Sequence, residues 1–271
     1  MSDPTGFDVR AYMRDPLQVR PTDLDLPALG DLDPATLEAL TRLEAAERAL
    51  LHRMRDFLVT PTHAESRVTA FLTTWAYEQH WLVQTLGAVL AANGRAAGQD
   101  RATALGRLRR ARDERLGPVL GAIASNLLGA ETTAAQMLTS RLDTAVLAES
   151  YRRLGAAEPR LAATTGAVVR LKERHLAFFT AEARTRLAAG PGARRLARIA
   201  VSRWQWPGTR YTARRTRTRP AADPEVRAAL LGLHPELGLG LHPERAAGAA
   251  ARRGPYGTRS VRTALARITR G

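Results

Sequence analysis

Residues 168–179 read Val-Val-Arg-Leu-Lys-Glu-Arg-His-Leu-Ala-Phe-Phe. The apolar side chains and His175 recur at three- and four-residue steps, which is the rhythm of one face of an α-helix. Lys172 lies one turn before His175 on that face, because side chains at i and i+3 project together. It is the single lysine in a chain with forty arginines. The segment therefore predicts a helix whose core face carries a cation beside a histidine.

Three further segments have the same helical rhythm. Asp33-Pro34 is typical of a helix start, with Asp as the N-cap and Pro as the first helical residue. The apolar stripe that follows runs from Leu37 to Leu58 and is interrupted by Glu44 and Glu47. The other long helices are predicted from about Ala64 to Ala92, from about Glu131 to Leu154, and from the turn at 155–159 to about Leu187.

The order of these segments predicts an all-α protein. Alternating β-branched runs are absent, so we expect no sheet. Two long-helix hairpins are joined by a connection of nearly forty residues, which fits a four-helix bundle with one long crossover connection. We expect residues 1–32 to form an extended arm over the domain, residues 33–190 to form the bundle, and residues 191–271 to form a basic, partly flexible extension. That extension begins with a short helix near Arg194 to Arg203.

Composition excludes several kinds of site. The chain of 271 residues has no cysteine, so disulfides, thiolate metal sites and a cysteine nucleophile are ruled out. A metal ion would have to be bound by His, Asp or Glu. The N-terminus lacks the pattern of a signal peptide, and no segment reads as a membrane span. We therefore expect a cytoplasmic protein without a membrane-spanning segment.

The positive charge is concentrated near the C-terminus. The net charge of +15 divides into −4 for residues 1–60, +6 for residues 61–189 and +13 for residues 190–271. Five arginines lie close in sequence to three aromatic residues, and this mixture is typical of a single-stranded nucleic-acid contact. The arginines are Arg210, Arg214, Arg215, Arg217 and Arg219, and the aromatic residues are Trp204, Trp206 and Tyr211. No complete nucleic-acid module accompanies it, and a solvated basic tail is the other interpretation.

Three segments resemble a known family. They are residues 67–78, Arg-Val-Thr-Ala-Phe-Leu-Thr-Thr-Trp-Ala-Tyr-Glu; residues 173–184, Glu-Arg-His-Leu-Ala-Phe-Phe-Thr-Ala-Glu-Ala-Arg; and residues 204–208, Trp-Gln-Trp-Pro-Gly. Over roughly residues 35 to 210 the chain resembles the ferritin-like superfamily, in its actinobacterial acyl-carrier-protein desaturase-like branch. The resemblance implies a ferritin-like four-helix bundle with a diiron centre, in which helices one and three each give a Glu and helices two and four each give Glu-x-x-His.

Most of the positions at which the resemblance implies a metal ligand hold side chains that are not carboxylates or imidazoles in this sequence. On the first helix, Glu47 or Glu44 stands at the ligand position. The remaining positions are Gln79 and Leu82 on the second helix, Thr144 on the third, and Lys172 and His175 on the fourth. Because only Glu47 and His175 match, we expect no diiron cofactor. We predict instead an internal ion pair between Lys172 and Glu47 or Glu44.

A shifted ligand set is the competing interpretation. Glu78-Gln79-His80 and Glu173-Arg174-His175 are both Glu-x-His. With Glu47 and Glu149 they would supply six ligands to a diiron centre. Side chains at i and i+2 point about 200° apart, so this set needs a distorted helix. Otherwise Glu78, Glu149 and Glu173 are flanking or surface carboxylates.

These observations lead to three hypotheses of function. The first is a non-redox binding protein or pseudoenzyme whose partner is a small apolar ligand, another protein or a second copy in a homodimer. The second is a desaturase-like diiron oxidoreductase that uses the shifted ligand set. The third is a protein that binds nucleic acid or an acidic partner through the arginine-rich tail.

Overall fold

The computed structural model describes residues 6–58, 65–95 and 130–202, together with residues 204 and 207. Within these residues the structure consists of helices and their connections, without strands, so the all-α prediction is confirmed. The helices are α1 (Val9–Arg14), α2 (Pro34–Leu58), α3 (Ser66–Ala92), α4 (Ala130–Ala157), α5 (Ala162–Ala188) and α6 (Pro191–Ser202). The predicted crossover connection and the basic patch from Arg210 to Arg219 lie outside the described residues.

The first hairpin consists of α2 and α3, and its ends follow the sequence signals. The Asp33 carboxylate accepts hydrogen bonds from the backbone N–H groups of Ala35 at 2.8 Å and Thr36 at 3.1 Å, so it caps α2 as predicted. Asn93 follows the last residue of α3, and Gly94 then takes a positive φ of 69°. Glycine adopts this left-handed conformation at little cost, so Asn93-Gly94 ends the helix as expected.

The second hairpin consists of α4 and α5, which share the most extensive helix contact among the described residues. A short 3₁₀ turn, Pro159–Leu161, connects them. A side chain at Gly155 would collide with Thr165, so the close approach of the two helices requires glycine there. The short helix predicted near Arg194 begins earlier, at Pro191, and packs against α4 through Ala193, Ala197 and Val201.

The N-terminal arm lies over α3, but it is not simply extended. Asp8 accepts a hydrogen bond from the backbone of Ala11 at 2.9 Å and so caps the helix α1, which the sequence analysis missed. Two 3₁₀ turns follow, Pro21–Asp23 and Pro27–Leu29. The Asn93 amide holds the end of the arm, because it donates to the Leu29 carbonyl at 2.8 Å and accepts from the Leu32 N–H at 2.9 Å.

Aromatic rings fill the space where the arm and both hairpins meet. The rings of Phe71 on α3 and Phe178 on α5 stack with centroids 3.6 Å apart. Tyr12 and Phe7 of the arm pack against the same pair. The core is thus shared by the arm, α3 and α5. None of the described helices is both long enough and apolar enough to cross a bilayer.

Candidate functional site

A lysine, a glutamate and a glutamine form a buried cluster between the two hairpins. The Lys172 Nζ atom on α5 lies 2.6 Å from Glu47 Oε2 on α2 and donates to Gln79 Oε1 on α3 at 3.1 Å. The Gln79 amide N–H also donates to Glu47 Oε2. Only 1% of the Lys172 side chain and none of the Glu47 side chain is exposed to solvent. The predicted Lys172–Glu47 ion pair is therefore present, with Gln79 as a third member.

Glu44, the other predicted partner of Lys172, belongs to a different pair. Its carboxylate accepts a hydrogen bond from Arg48 Nε at 2.9 Å, one turn further along α2. The Arg48 side chain is 43% exposed, whereas that of Glu44 is buried. Glu44 therefore pairs with Arg48 at the bundle surface, and the buried Lys172 pairs with Glu47.

Tyr151 on α4 faces the same cluster. Burial raises the pKa of its phenol well above the ordinary value, and the neighbouring Glu47 carboxylate raises it further. The Tyr151 hydroxyl and Glu47 Oε1 are both buried, and neither has a well-aligned hydrogen bond to a described residue. Tyr151 therefore stays protonated and adds a potential donor, but no charge, beside Glu47.

A second buried cluster surrounds Glu78 on α3. The Tyr12 hydroxyl donates to Glu78 Oε2, and the Leu17 backbone N–H donates to Oε1 at 2.7 Å. His175 Nε2 on α5 lies 2.7 Å from Oε2. Burial together with the Glu78 charge raises the pKa of Tyr12, so the tyrosine remains a donor. Two of the three groups on this carboxylate thus come from the arm.

His175 is held neutral in this cluster. Burial lowers its pKa, the hydrogen bond with Glu78 opposes that effect, and the Lys172 charge lowers the pKa further. A neutral imidazole that faces an ionised carboxylate must carry its proton on Nε2. Nδ1 is then a bare acceptor, and it has no hydrogen-bond partner among the described residues.

The remaining positions implied by the resemblance are not metal ligands. Leu82 is completely buried among apolar side chains. The Thr144 hydroxyl donates to the Ser140 carbonyl at 2.7 Å in its own helix. Four of the expected ligand positions therefore hold other groups. These are the amide of Gln79, the alkyl side chain of Leu82, the hydroxyl of Thr144 and the ammonium group of Lys172. This donor set does not fit a two-iron centre, which needs carboxylate and imidazole ligands.

The structure does not bring all six residues of the shifted ligand set together. His80 and Glu173 are exposed, and Glu173 lies 2.8 Å from Arg152 on the neighbouring helix. Glu149 is bound to Arg153 at 3.0 Å. Their undistorted helices direct i and i+2 side chains to opposite sides. In the described parts of the chain, no group of three His, Asp or Glu side chains is arranged to hold a metal ion.

Glu78 is the residue that both interpretations of the sequence misplaced. It is not a flanking carboxylate, since it is fully buried, and its oxygens are taken up by His175 and Tyr12 rather than turned toward His80. The sequence does place Glu78 on the core face of its helix. Phe71, Trp75, Glu78 and Leu82 are separated by steps of four, three and four residues, which is the spacing of one helix face.

A groove of about 570 Å³ lies on the outer side of α5, away from the two clusters. Its apolar surface comes from Phe7, Leu176, Ala177 and Ala181, and its polar atoms come from Arg141, Glu173, Thr180, Arg184 and Thr185. Arg141 lies deep in this wall, where its Nε donates to the Thr180 hydroxyl at 2.9 Å. The groove is of a size and mixed polarity that small-molecule sites have.

Comparisons with known proteins leave the chain without an assigned relative. No protein-family model matches it, and neither the curated proteins nor the solved structures contain a significant match. The arguments for function therefore come from the geometry of the two clusters, the groove and the charge distribution.

Proposed function

We propose that this chain is a ferritin-like helical bundle that has lost a competent diiron centre and acts as a non-redox binding protein. The observation that carries this proposal is the Lys172 ammonium group, 2.6 Å from the Glu47 carboxylate in a site closed to solvent. A buried cation at this point supplies the positive charge that a metal would otherwise bring to Glu47.

Electrostatics and hydrogen bonding both oppose metal binding at this place. A fixed ammonium group repels a divalent ion by several kcal/mol at partly buried distances, on the order expected from Coulomb's law at reduced dielectric. Glu78 is the other buried carboxylate near His175, and its oxygens are already occupied by Tyr12, Leu17 and His175. Binding a metal would require breaking both clusters, including the contacts that hold the arm.

Metal analysis of the full chain tests this half of the proposal. The protein is expressed with added iron or manganese beside a known diiron protein as a loading control, and its metal content is measured by mass spectrometry. We expect far less than one metal ion per chain while the control is fully loaded. A content near two ions per chain, with spectra of a carboxylate-bridged pair, would contradict the proposal.

The groove on α5 supports the binding half of the proposal. Its volume of about 570 Å³ suits a small molecule, and Phe7, Leu176 and Ala177 offer apolar surface to one part of such a ligand. The Arg141 and Thr180 side chains add polar atoms that would orient such a molecule. A small ligand with an apolar part is therefore the proposed partner class.

The uncharged fluorescent probe 1-N-phenylnaphthylamine tests the groove without attraction to the basic tail. We expect saturable binding to the full chain, and binding weaker by about tenfold in Ala177→Trp, because the indole fills the groove. Ala163→Trp places the same bulk on an exposed position of the same helix and should bind as the unmodified chain does. Equal affinity of both variants would remove the groove as the site.

A further inference from the structure

Asn93 fastens the end of the N-terminal arm to the C-terminus of α3. Its Nδ2 atom donates hydrogen bonds to the carbonyl of Leu29 at 2.8 Å and to that of Val89 at 2.9 Å. Its Oδ1 atom accepts a hydrogen bond from the backbone N–H of Leu32 at 2.9 Å. The side-chain amide therefore makes three hydrogen bonds, and two of them reach residues of the arm. A carboxylate could replace only the acceptor half of this arrangement.

The residue after Asn93 is a glycine, which makes this asparagine chemically reactive. The backbone nitrogen of the next residue can attack the side-chain amide carbon of an asparagine, and glycine has no side chain to hinder that approach. The chain has two asparagines, and the other, Asn126, is followed by Leu127. Asn93 is therefore the asparagine at which the sequence most favours deamidation.

The folded conformation opposes this reaction. The Gly94 N–H donates to the Ala91 carbonyl and the Arg95 N–H to the Leu90 carbonyl, each at 2.9 Å. These two hydrogen bonds are the Schellman ending of α3. The attack requires the Gly94 nitrogen to leave its acceptor and the Asn93 side chain to turn away from all three of its partners. The reaction is therefore slow while the end of the arm is docked.

We propose that Asn93 is a deamidation site that the docked arm protects, and that deamidation there prevents the end of the arm from docking again. Once the end of the arm has left, the Gly94 nitrogen forms a bond with Asn93 Cγ and the Cγ–Nδ2 bond breaks. The proton of the Gly94 N–H passes through solvent to the leaving amide, which departs as ammonia. Water then opens the cyclic imide to aspartate or isoaspartate, so water is the one reactant that the chain does not supply.

The product cannot remake the native contacts. Aspartate has an oxygen where Nδ2 stood, and this oxygen would face the carbonyl oxygens of Leu29 and Val89. Two hydrogen bonds are lost and acceptors are left facing each other, unless the arm stays away. Isoaspartate also lengthens the backbone by a methylene group beside Gly94, where φ is 69°. The covalent change thus makes the opening of the arm permanent. Asn93 belongs to neither cluster and does not line the groove, so this inference is independent of the binding function proposed above.

Peptide mapping by mass spectrometry tests the protection of Asn93. The full chain is kept at neutral pH, with and without enough urea to unfold it, and the fraction of aspartate and isoaspartate at position 93 is followed over time. We expect the folded chain to react about a hundredfold more slowly, because each of the three hydrogen bonds of the side chain contributes a factor of about five. Equal rates in the folded and the unfolded chain would overturn the proposal.

A pair of variants tests whether docking of the arm is what protects Asn93. Leu29→Asp places a charge at a buried position in the end of the arm, and we expect deamidation to be faster by about tenfold or more. Ala28→Asp places the same charge at the exposed neighbouring position and should react as the unmodified chain does. Far-UV circular dichroism checks that both variants keep their helices. Equal deamidation rates in the two folded variants would show that docking does not control the reaction.

Asn93→Asp tests the consequence of the modification. We expect the backbone amide hydrogens of Leu29, Gly30 and Leu32 to exchange faster by about tenfold, because these N–H groups are hydrogen-bonded only while the end of the arm is docked. Gln84→Glu makes the same change from amide to carboxylate at an exposed position of α3 and should leave this exchange as it is. If the two variants exchange alike, the end of the arm docks over a carboxylate and the proposed consequence is wrong.

Discussion

The two buried clusters of the bundle stabilise their carboxylates in different ways. Glu47 on α2 is neutralised by a full cation, Lys172 on α5, and it also accepts a hydrogen bond from the Gln79 amide on α3. Glu78 has no cation in direct contact and is held by Tyr12, Leu17 and His175. The first cluster depends only on how the long helices pack, whereas the second exists only while the arm is docked. The Glu47 cluster is thus a feature of the bundle, and the Glu78 cluster is one of the contacts that hold the arm.

The largest effect should come from removing the cation of the first cluster. Lys172→Met leaves the Glu47 carboxylate buried without a counter-charge, which costs about 3–5 kcal/mol of the free energy of unfolding. Urea unfolding followed by circular dichroism measures it. The matched double variant Lys172→Met with Glu47→Met removes both charges and should recover most of that loss, because a buried ion pair can be replaced by apolar side chains at little net cost.

A double variant as unstable as Lys172→Met alone would show that the cluster is not a simple ion pair. The hydrogen bond from Lys172 to Gln79 would then be the dominant contribution, because both variants lose it. The hydrogen bond from Gln79 to Glu47 remains in Lys172→Met and is lost only in the double variant.

The second cluster should lose less stability when its charge is removed. Glu78→Gln keeps the size of the side chain but replaces one acceptor oxygen by an N–H₂ donor. This donor faces either the Leu17 N–H, or both the Tyr12 hydroxyl and His175 Nε2, so at least one buried donor loses its partner. We expect a cost of about 2–3 kcal/mol, measured by the same urea unfolding. Glu173→Gln, on the exposed side of α5, is the control and should change stability by less than about 0.5 kcal/mol.

The contrast between the clusters also explains what could be predicted from the sequence. The long helices and their ends follow from apolar periodicity and from local signals such as Asp33 and Asn93-Gly94. The pairing of Lys172 with Glu47 or Glu44 was predicted from the ligand positions that the resemblance implies, and each of these charges lies in an apolar stripe, where it needs an opposite partner.

The Glu78 cluster escaped prediction for two physical reasons. Gln79 was assigned to the core of α3 and Glu78 to its flank, but α3 is buried over a wide arc, with Gln79 turned toward α2 and Glu78 toward the arm and α5. The second reason is distance along the chain. Tyr12 is 66 residues away from Glu78, and no periodicity within the arm indicates which carboxylate its hydroxyl meets.

The pH dependence of stability tests the second cluster through His175. Its pKa is lowered in the folded state, whereas in the unfolded chain it lies near the ordinary value of about 6.5. Below that pH the unfolded state binds a proton that the folded state does not, so the free energy of unfolding falls as the pH falls, by at most about 1.4 kcal/mol per pH unit.

His80, an exposed histidine on α3, provides the control for His175. His175→Gln should flatten the fall in stability between about pH 6.5 and 5.5, because the residue that stays neutral on folding is gone. His80→Gln, at an exposed position, should leave the pH dependence as it is. If the two variants show the same pH dependence, the neutral state of His175 does not contribute to stability.

The smallest effect should be confined to the arm. Tyr12→Phe removes one hydrogen bond from Glu78, which keeps those of Leu17 and His175, so we expect a loss of about 1 kcal/mol. If the Glu78 cluster helps to hold the arm, this loss should appear as faster exchange of the backbone amide hydrogens of α1 rather than of α2 or α4. Tyr77→Phe, at a tyrosine that is 42% exposed, should change neither. Equal acceleration in α1 and α4 would mean that the arm and the bundle open together, and the distinction between the two clusters would then be one of chemistry alone.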